Sequence, residues 1–259
     1  MTRHLLKLIW NRKRTNLLVM GEIFFSFLVV FGVSTLGLYY LDNYRAPLGY
    51  AYQDVWRIDI DMKTSGPEVK STAAQDTIRR LLQAVRELPE VAGAAGCFVS
   101  PYEDGGWNSG YRVEGRTYRY WLNSVTDEFK DVMGLELLQG RWFSAADDGV
   151  DFRPVVINQS FARYAFGGQD PVGRSVPQDK DQDGKPRREM RVLGVIREFR
   201  QHGEFSAPEK YLFQRTRLED ANPSLPRQLL IKVQPGTGAV FEERLTRRRI
   251  RHRAAETTQ

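Results

Sequence analysis

The chain has 259 residues, enough for one sizeable domain or two small ones, and its 41% hydrophobic and 27% charged residues are ordinary for a globular protein. Its formal net charge is +6, but residues 1–41 and 241–259 carry +4 and +3, which leaves −1 for the middle. A nucleic-acid-binding domain is basic on its folded part, so nucleic acid is excluded as the expected partner. A single cysteine, Cys97, excludes an intrachain disulfide and is expected to be a small buried side chain.

The first predicted element is a transmembrane helix over residues 17–41. Residues 23–41 contain no charge, and residues 17–22 add one acidic side chain, Glu22. A helix needs about 20 apolar residues to cross the hydrocarbon core of a bilayer. The apolar region of a cleaved signal peptide is shorter, about 7–15 residues, so a retained helix is favoured. Tyr39 and Tyr40 at its end are suited to the membrane interface.

The charges beside this helix predict its orientation, because lysine and arginine are enriched on the cytoplasmic side. Five of them precede the helix, and only Arg45 and Arg57 follow within twenty residues. We therefore expect a single-pass protein with a cytoplasmic N-terminus and its main domain outside. Residues 1–16 are expected to lie along the inner membrane surface. The interfacial residues of this basic segment are predicted to be Trp10, Arg12, Lys13 and Arg14.

Glu22 has two interpretations. It could make a polar contact with another transmembrane helix, as ionisable residues inside membranes often do. It could also lie near the cytoplasmic end of the helix and reach toward the lipid headgroups, and this second interpretation is favoured.

Beyond residue 41, strand and helix patterns alternate irregularly. Strands are predicted at 54–62, 91–99, twice within 111–125, and at 154–157, 191–197 and 229–233. Helices are predicted at 71–88, 127–133 and 158–166, the last with Asn158 as its N-cap. Residues 101–110 are predicted to form a loop. The fold class is therefore α+β, with an outer domain over 42–246 and a disordered basic tail over 247–259.

Three common catalytic or nucleotide-binding motifs are absent from the sequence. There is no Walker A loop, no G-x-S-x-G elbow and no H-E-x-x-H motif, and the three histidines are scattered. We therefore expect neither an enzyme nor a bound cofactor. The aromatic residues between 107 and 121 could form an exposed binding face, but alternation in a strand more often places such side chains in the core.

One segment suggests a metal site. Asp179, Asp181, Asp183 and Gly184 form the D-x-D-x-D-G opening of a calcium loop. The twelfth position of that loop should be acidic, and here it is Met190. Aspartate and glycine also suit a hydrophilic hairpin tip that binds no metal, and that interpretation is favoured.

Three segments carry a family resemblance: TDEFKDVMGLELLQGRWFSAADD (126–148), RPVVINQSFARYAFGGQDPVGRSV (153–176) and RVLGVIREFR (191–200). Their succession resembles the periplasmic core domain of MacB-type ABC transporter permeases, the FtsX-like permease family. The resemblance implies a mixed α/β periplasmic domain after an N-terminal transmembrane helix in the bacterial inner membrane. It also implies a non-catalytic permease subunit that works with a cytoplasmic ABC ATPase and with other permease helices. Its domain would couple ATP-driven motion to export or to partner proteins.

A membrane-anchored ligand-binding or sensor module is the alternative. It is disfavoured because only about sixteen residues precede the helix and leave no room for a cytoplasmic output domain. The chain also departs from the family pattern of four transmembrane helices, since it supplies one. We therefore expect a truncated gene product, a frameshifted tail or one half of a split permease.

Overall fold

The computed structural model describes residues 13–60, 69–103, 105–113, 116–178, 188–220, 224–238 and 241. The chain divides into two compact units, Met1–Ala46 and Pro47–Gln259. Among the described residues of the first unit there is one helix, α1, at Lys13–Arg45. It ends four residues after the predicted membrane segment. Its end is explained by Pro47, because a proline disfavours the helical conformation at the residue before it.

The second unit is a mixed sheet with helices on both faces. Its strands are β1 (Val55–Asp59), β2 (Val91–Cys97), β3 (Trp107–Val113), β4 (Arg116–Val125), β5 (Leu137–Gly140), β6 (Arg153–Asn158), β7 (Ser175–Val176), β8 (Met190–Ile196), β9 (Tyr211–Arg215) and β10 (Gln228–Val233). The α-helices whose bounds lie within the described residues are α2 (Val69–Arg86), α3 (Phe129–Met133) and α4 (Gln159–Phe166). A 3-10 turn covers Ala145–Asp147. The predicted combination of a long apolar helix and a mixed α/β domain is confirmed.

In the described part of the chain the main strand order is β1-β10-β2-β4-β9-β6-β8-β5, with β3 paired to β4 and β7 to β8. The β4–β9 and β6–β8 pairs are parallel, and the other pairs are antiparallel. The β4 strand is long enough to pair with two neighbours on one side, since residues 116–122 pair with β3 and Val125 at its end pairs with Cys97 of β2. The sheet therefore joins segments that are distant in sequence.

The core lies on both faces of this sheet. One face carries a cluster that includes Ala95, Val156, Phe213 and Leu230, covered by α3. Neighbouring residues on the same strands point to the other face, where α4 covers one end and α2 the other. Each fully buried Val, Leu or Phe side chain contributes roughly 1.5–3 kcal/mol. Because successive side chains of a strand point to opposite faces, this sheet has a hydrophobic cluster on each face.

Three strands were not predicted, and one loop prediction was wrong. The β9 strand, Tyr211–Arg215, is buried at four consecutive positions and so shows no polar alternation. The β5 and β7 strands have only four and two residues. The predicted loop at 101–110 becomes strand from Trp107 onward. Pairing with β4 explains this, because Trp107 lies opposite Leu122 and Gly110 opposite Arg119.

Candidate functional site

Helix α1 has the length and surface of a membrane span. Its 33 residues correspond to about 50 Å at roughly 1.5 Å per residue, more than the ~30 Å hydrocarbon core. The stretch Leu17–Arg45 has a mean hydropathy of 2.2 in its most apolar window, and none of that window is buried within the protein. Large side chains such as Phe25 and Phe31 are mostly exposed. An apolar surface on every side is typical of a helix surrounded by lipid.

The predicted interfacial residues lie at the two ends of this helix. Lys13 and Arg14 are the first described residues of the helix, whereas Trp10 and Arg12 fall outside the described residues. Tyr39 and Tyr40 lie near the other end, with ring centroids 5.5 Å apart.

Glu22 is an exposed helical residue, nine positions after Lys13 and seventeen before Tyr39. At roughly 1.5 Å per residue, it lies about 13 Å and 26 Å along the axis from those residues. This places it closer to the basic end of the helix than to the tyrosine end.

The domain begins with a segment, residues 47–54, that we call the entry segment. Three backbone hydrogen bonds fix it: Arg200 N to Leu48 O (3.1 Å), Ala51 N to Met133 O (2.8 Å) and Val233 N to Asp54 O (2.8 Å). Tyr50 is buried, with its ring 5.1 Å from that of Phe199, and its hydroxyl donates to the Arg200 carbonyl at 3.3 Å. The entry segment is therefore part of the folded domain.

Gly49 allows the entry segment to lie this close to the loop after β8. Its φ is +86°, and a Cβ atom there would lie 1.4 Å from the Glu198 carbonyl oxygen. Only glycine satisfies both requirements without strain. The close approach therefore depends on one residue.

The motif residues Arg141 and Asp147 form an ion pair in which the carboxylate is buried and the arginine is half exposed. Arg141 Nη1 donates to Asp147 Oδ2 at 2.7 Å, and Nη2 donates to Oδ1 at 2.5 Å. The Asp147 side chain is 1% exposed and also accepts from the Ser144 amide at 3.0 Å, which completes a capping box. These contacts hold the 3-10 turn against the end of β5.

These contacts predict how the stability of the domain depends on pH. Hydrogen bonds from Arg141 are the main cause that holds the pKa of Asp147 below its usual range. A carboxylate with a depressed pKa stabilises the fold above its unfolded-state pKa of roughly 4, and the contribution is lost as pH falls through the lower folded-state pKa. Asp147→Asn should cost about 2 kcal/mol at pH 6, and its difference from the wild type should shrink toward pH 3. Melting temperatures of both chains in detergent across this range test it. A difference that is constant with pH would contradict the assignment.

A second ion pair was not predicted from the sequence. The Arg215 side chain is only 6% exposed and donates to both oxygens of Asp127, at 2.7 and 2.6 Å, and to Asp148 at 2.7 Å. The backbone carbonyl oxygen of Asp127 also accepts a hydrogen bond from the Trp142 indole N–H at 2.8 Å. This arrangement connects β9 to the start of α3 and to the segment after β5, so the motif residues here serve packing.

Asn158 caps α4 as predicted and makes further contacts. Its Oδ1 accepts from the Phe161 amide and from the Tyr211 amide, both at 3.0 Å. Its Nδ2 donates to the Glu209 carbonyl at 2.6 Å and to Glu198 Oε2 at 3.0 Å. The side chain is completely buried. One amide therefore joins β6, α4, β9 and the loop after β8.

Glu198 completes this junction. It accepts from the Ser160 amide (3.2 Å) and hydroxyl (2.8 Å), and from Arg163 (2.6 Å). A carboxylate at the first turn of a helix is favoured by the helix dipole.

The aromatic residues of β3 and β4 are divided between core and surface. Tyr111 and Tyr120 are buried against α4, and Tyr118 stacks on Tyr111 at 4.8 Å. Trp107 is 52% exposed, while Trp121 is partly buried with its ring 5.0 Å from His202. The rings therefore do not form one continuous exposed face, and those of β4 mostly pack.

The remaining titratable groups do not assemble a site among the described residues. No group of three or more His, Cys, Asp and Glu side chains there is placed to hold a metal. His202 Nδ1 lies 2.6 Å from Glu209 Oε1, and Cys97 is buried, with its pKa raised chiefly by burial. The proposed calcium ligands Asp179, Asp181 and Asp183 fall outside the described residues. The strands on either side of them pair antiparallel, Val176 opposite Met190.

Comparison with known proteins gives a family match. The model of the MacB-like periplasmic core domain matches residues 17–247. No curated protein matches the chain. The periplasmic region of MacB from Actinobacillus actinomycetemcomitans is 15% identical with a TM-score of 0.49, over 75% of this chain and 82% of that one.

Two further solved structures are similar. The extracellular domain of the noncanonic ABC-type transporter YknZ from Gram-positive bacteria is 15% identical (TM-score 0.40), over 60% of this chain and 72% of that one. A domain assigned to a permease protein of Porphyromonas gingivalis is 21% identical (TM-score 0.47), over 66% and 75%. The family match itself covers most of the chain, from the apolar helix through β10. The chain therefore belongs to the family of MacB-like periplasmic core domains, which are parts of ABC transporter permeases.

Proposed function

We propose that this chain is a non-catalytic permease subunit of an ABC transporter, whose outer domain couples ATP-driven motion of transmembrane helices to export or to partner proteins. The observation that carries the proposal is the fixed entry segment, since backbone hydrogen bonds tie the start of the domain to its folded part. A flexible linker would absorb motion of the helix, whereas residues 47–54 are held by backbone hydrogen bonds to three separate parts of the domain. The family match supports the transporter context.

Association with an ATPase tests this proposal. The full chain, purified from detergent-solubilised bacterial membranes, should carry with it a cytoplasmic ABC ATPase and the other permease helices, identified by mass spectrometry. A matched control is a chain with a flexible glycine-serine insertion between Ala46 and Pro47. This variant should still bind the ATPase but should lose coupling of ATP hydrolysis to the domain. Repeated absence of any ATPase, with the chain shown to be inserted, would reject the proposal.

The proposed membrane is the bacterial inner membrane, with the N-terminus cytoplasmic and the domain periplasmic. Cysteine labelling tests this orientation with little background, because the native Cys97 is completely buried. In cells with a permeabilised outer membrane, an impermeant maleimide should label Asp151→Cys, at an exposed position of the domain. Asn16→Cys, before the apolar stretch, should react only after the inner membrane is lysed. The opposite pattern would show an inverted chain.

A further inference from the structure

Three large, exposed aromatic side chains of the domain are carried by the entry segment and by the segments after β2 and β8. Tyr52, Tyr102 and Phe205 are 53%, 50% and 58% exposed, and we call them the aromatic patch. The rings of Tyr52 and Tyr102 are 6.4 Å apart. The Tyr102 hydroxyl donates to Glu204 Oε1 at 2.6 Å, and Phe205 is the next residue in the chain. Exposed aromatic groups that cluster in this way indicate an interaction surface.

The rest of the domain holds the patch in place. The Tyr102 amide donates to the Gln201 carbonyl at 2.8 Å, and its ring covers Gly203, where a Cβ atom would lie 2.6 Å away. Desolvation, followed by the hydrogen bond to Glu204, raises the pKa of Tyr102 to about 12, so its phenol is neutral at physiological pH. Tyr102 therefore presents an uncharged ring with a polar hydroxyl end, and Tyr52 and Phe205 add exposed ring surface.

The position of the patch along the chain suggests what it contacts. Tyr52 belongs to the entry segment and lies seven residues after Arg45, the last residue of α1. The segment from Leu48 onward is bonded to the domain, because the Leu48 carbonyl oxygen accepts from the Arg200 amide. The patch therefore lies where the chain enters the domain.

We propose that the aromatic patch lies among the lipid headgroups on the outer face of the membrane that α1 spans, and that it holds the domain against this bilayer. Tyrosine and phenylalanine rings suit this region, which accepts an apolar ring and also hydrates a polar end. Glu204, beside the patch, accepts a hydrogen bond from Tyr102. The proposal rests on insertion of α1 and adds to the proposed function a second, reversible membrane contact.

Spin labels on the full chain in phosphatidylethanolamine–phosphatidylglycerol vesicles test this contact. Labels at Tyr52→Cys and Phe205→Cys are compared with Trp107→Cys, which replaces an equally exposed aromatic outside the patch. Collisions with oxygen relative to a water-soluble nickel chelate measure depth. We expect a severalfold higher ratio at 52 and 205 than at 107. Ratios equal to that at 107, in chains with unchanged circular dichroism, would overturn the proposal.

Two further arms separate the possible failures. A label at Phe31→Cys, in the apolar helix, should give the highest ratio of all; an aqueous value there would mean that α1 is not inserted, and both proposals would fall. Reconstitution at about one chain per vesicle removes contacts between copies. If the shielding at 52 and 205 disappears on this dilution, the occupant is a second copy of the chain, and the lipid contact is rejected.

Discussion

Replacing Gly49 with alanine is expected to reduce the free energy of unfolding by about 3 kcal/mol or more. The left-handed backbone at Gly49 costs an L-residue roughly 1–2 kcal/mol. The added methyl group would overlap the Glu198 carbonyl oxygen at 1.4 Å, and overpacking typically adds about 1–3 kcal/mol. Because the overlap is with backbone, a side-chain rotation cannot relieve it. The entry segment should detach locally before the sheet unfolds.

Gly149→Ala is the matched control. Gly149 also has a positive φ, +75°, but nothing lies within 4 Å of its added Cβ. It should therefore show only the backbone cost of roughly 1–2 kcal/mol. Urea denaturation of the full chains in detergent compares them, with hydrogen exchange at residues 47–54 to detect detachment. Equal losses for the two variants would show that the entry segment is not packed against Glu198.

Asn158→Ala is expected to cost about 3–5 kcal/mol, comparable to the largest effects of single substitutions. Loss of an N-cap alone costs about 1 kcal/mol. The substitution also leaves the Tyr211 amide and the Glu209 carbonyl without the partner they have in the buried junction, at about 1–3 kcal/mol each. Since the parts of β6 and β9 beside this residue depend on it, we expect the loss to appear as global unfolding at lower urea concentration.

Asn108→Ala provides the comparison for this change, because Asn108 is exposed on β3. Its cost should be within about 0.5 kcal/mol of zero. Fluorescence-detected unfolding of both variants under the same conditions makes the measurement. If Asn158→Ala is as mild as Asn108→Ala, the hydrogen bonds at the junction do not hold α4 and β9 together.

Much of the architecture could be predicted from local signals. The apolar helix is visible in hydropathy, and the helix over 158–166 is marked by its cap and by Gly167, whose φ is +59°. The C-terminal end of α1 lies beyond the predicted one because hydropathy detects only the apolar stretch, whereas the helix continues to Arg45, two residues before Pro47. The β9 strand was not predicted because a strand buried on both faces shows no alternation of polar and apolar residues.

The contacts that support the proposed function could not be predicted from the sequence. Arg215 lies 88 residues from Asp127, and Glu198 lies 38 residues from Ser160, so no spacing rule connects them. The need for glycine at position 49 could not be predicted either, because it arises from the Glu198 carbonyl group, about 150 residues away in the chain. The calcium loop and the interfacial role of the basic N-terminal segment stay predictions.

The position of β10 determines how this domain can be made. Strand β10 lies between β1 and β2. Residues 55–59 of β1 therefore cannot form this pairing until residues 228–233 of β10 are available. Folding that depends on such distant partners is slow, and unpaired strand edges favour aggregation. If the domain is delivered outside the cytoplasm as it is synthesised, its early strands stay open to proteases and neighbouring chains until almost the whole domain has crossed. A periplasmic chaperone that shields β1 and β2 during this interval should therefore increase the yield of folded protein.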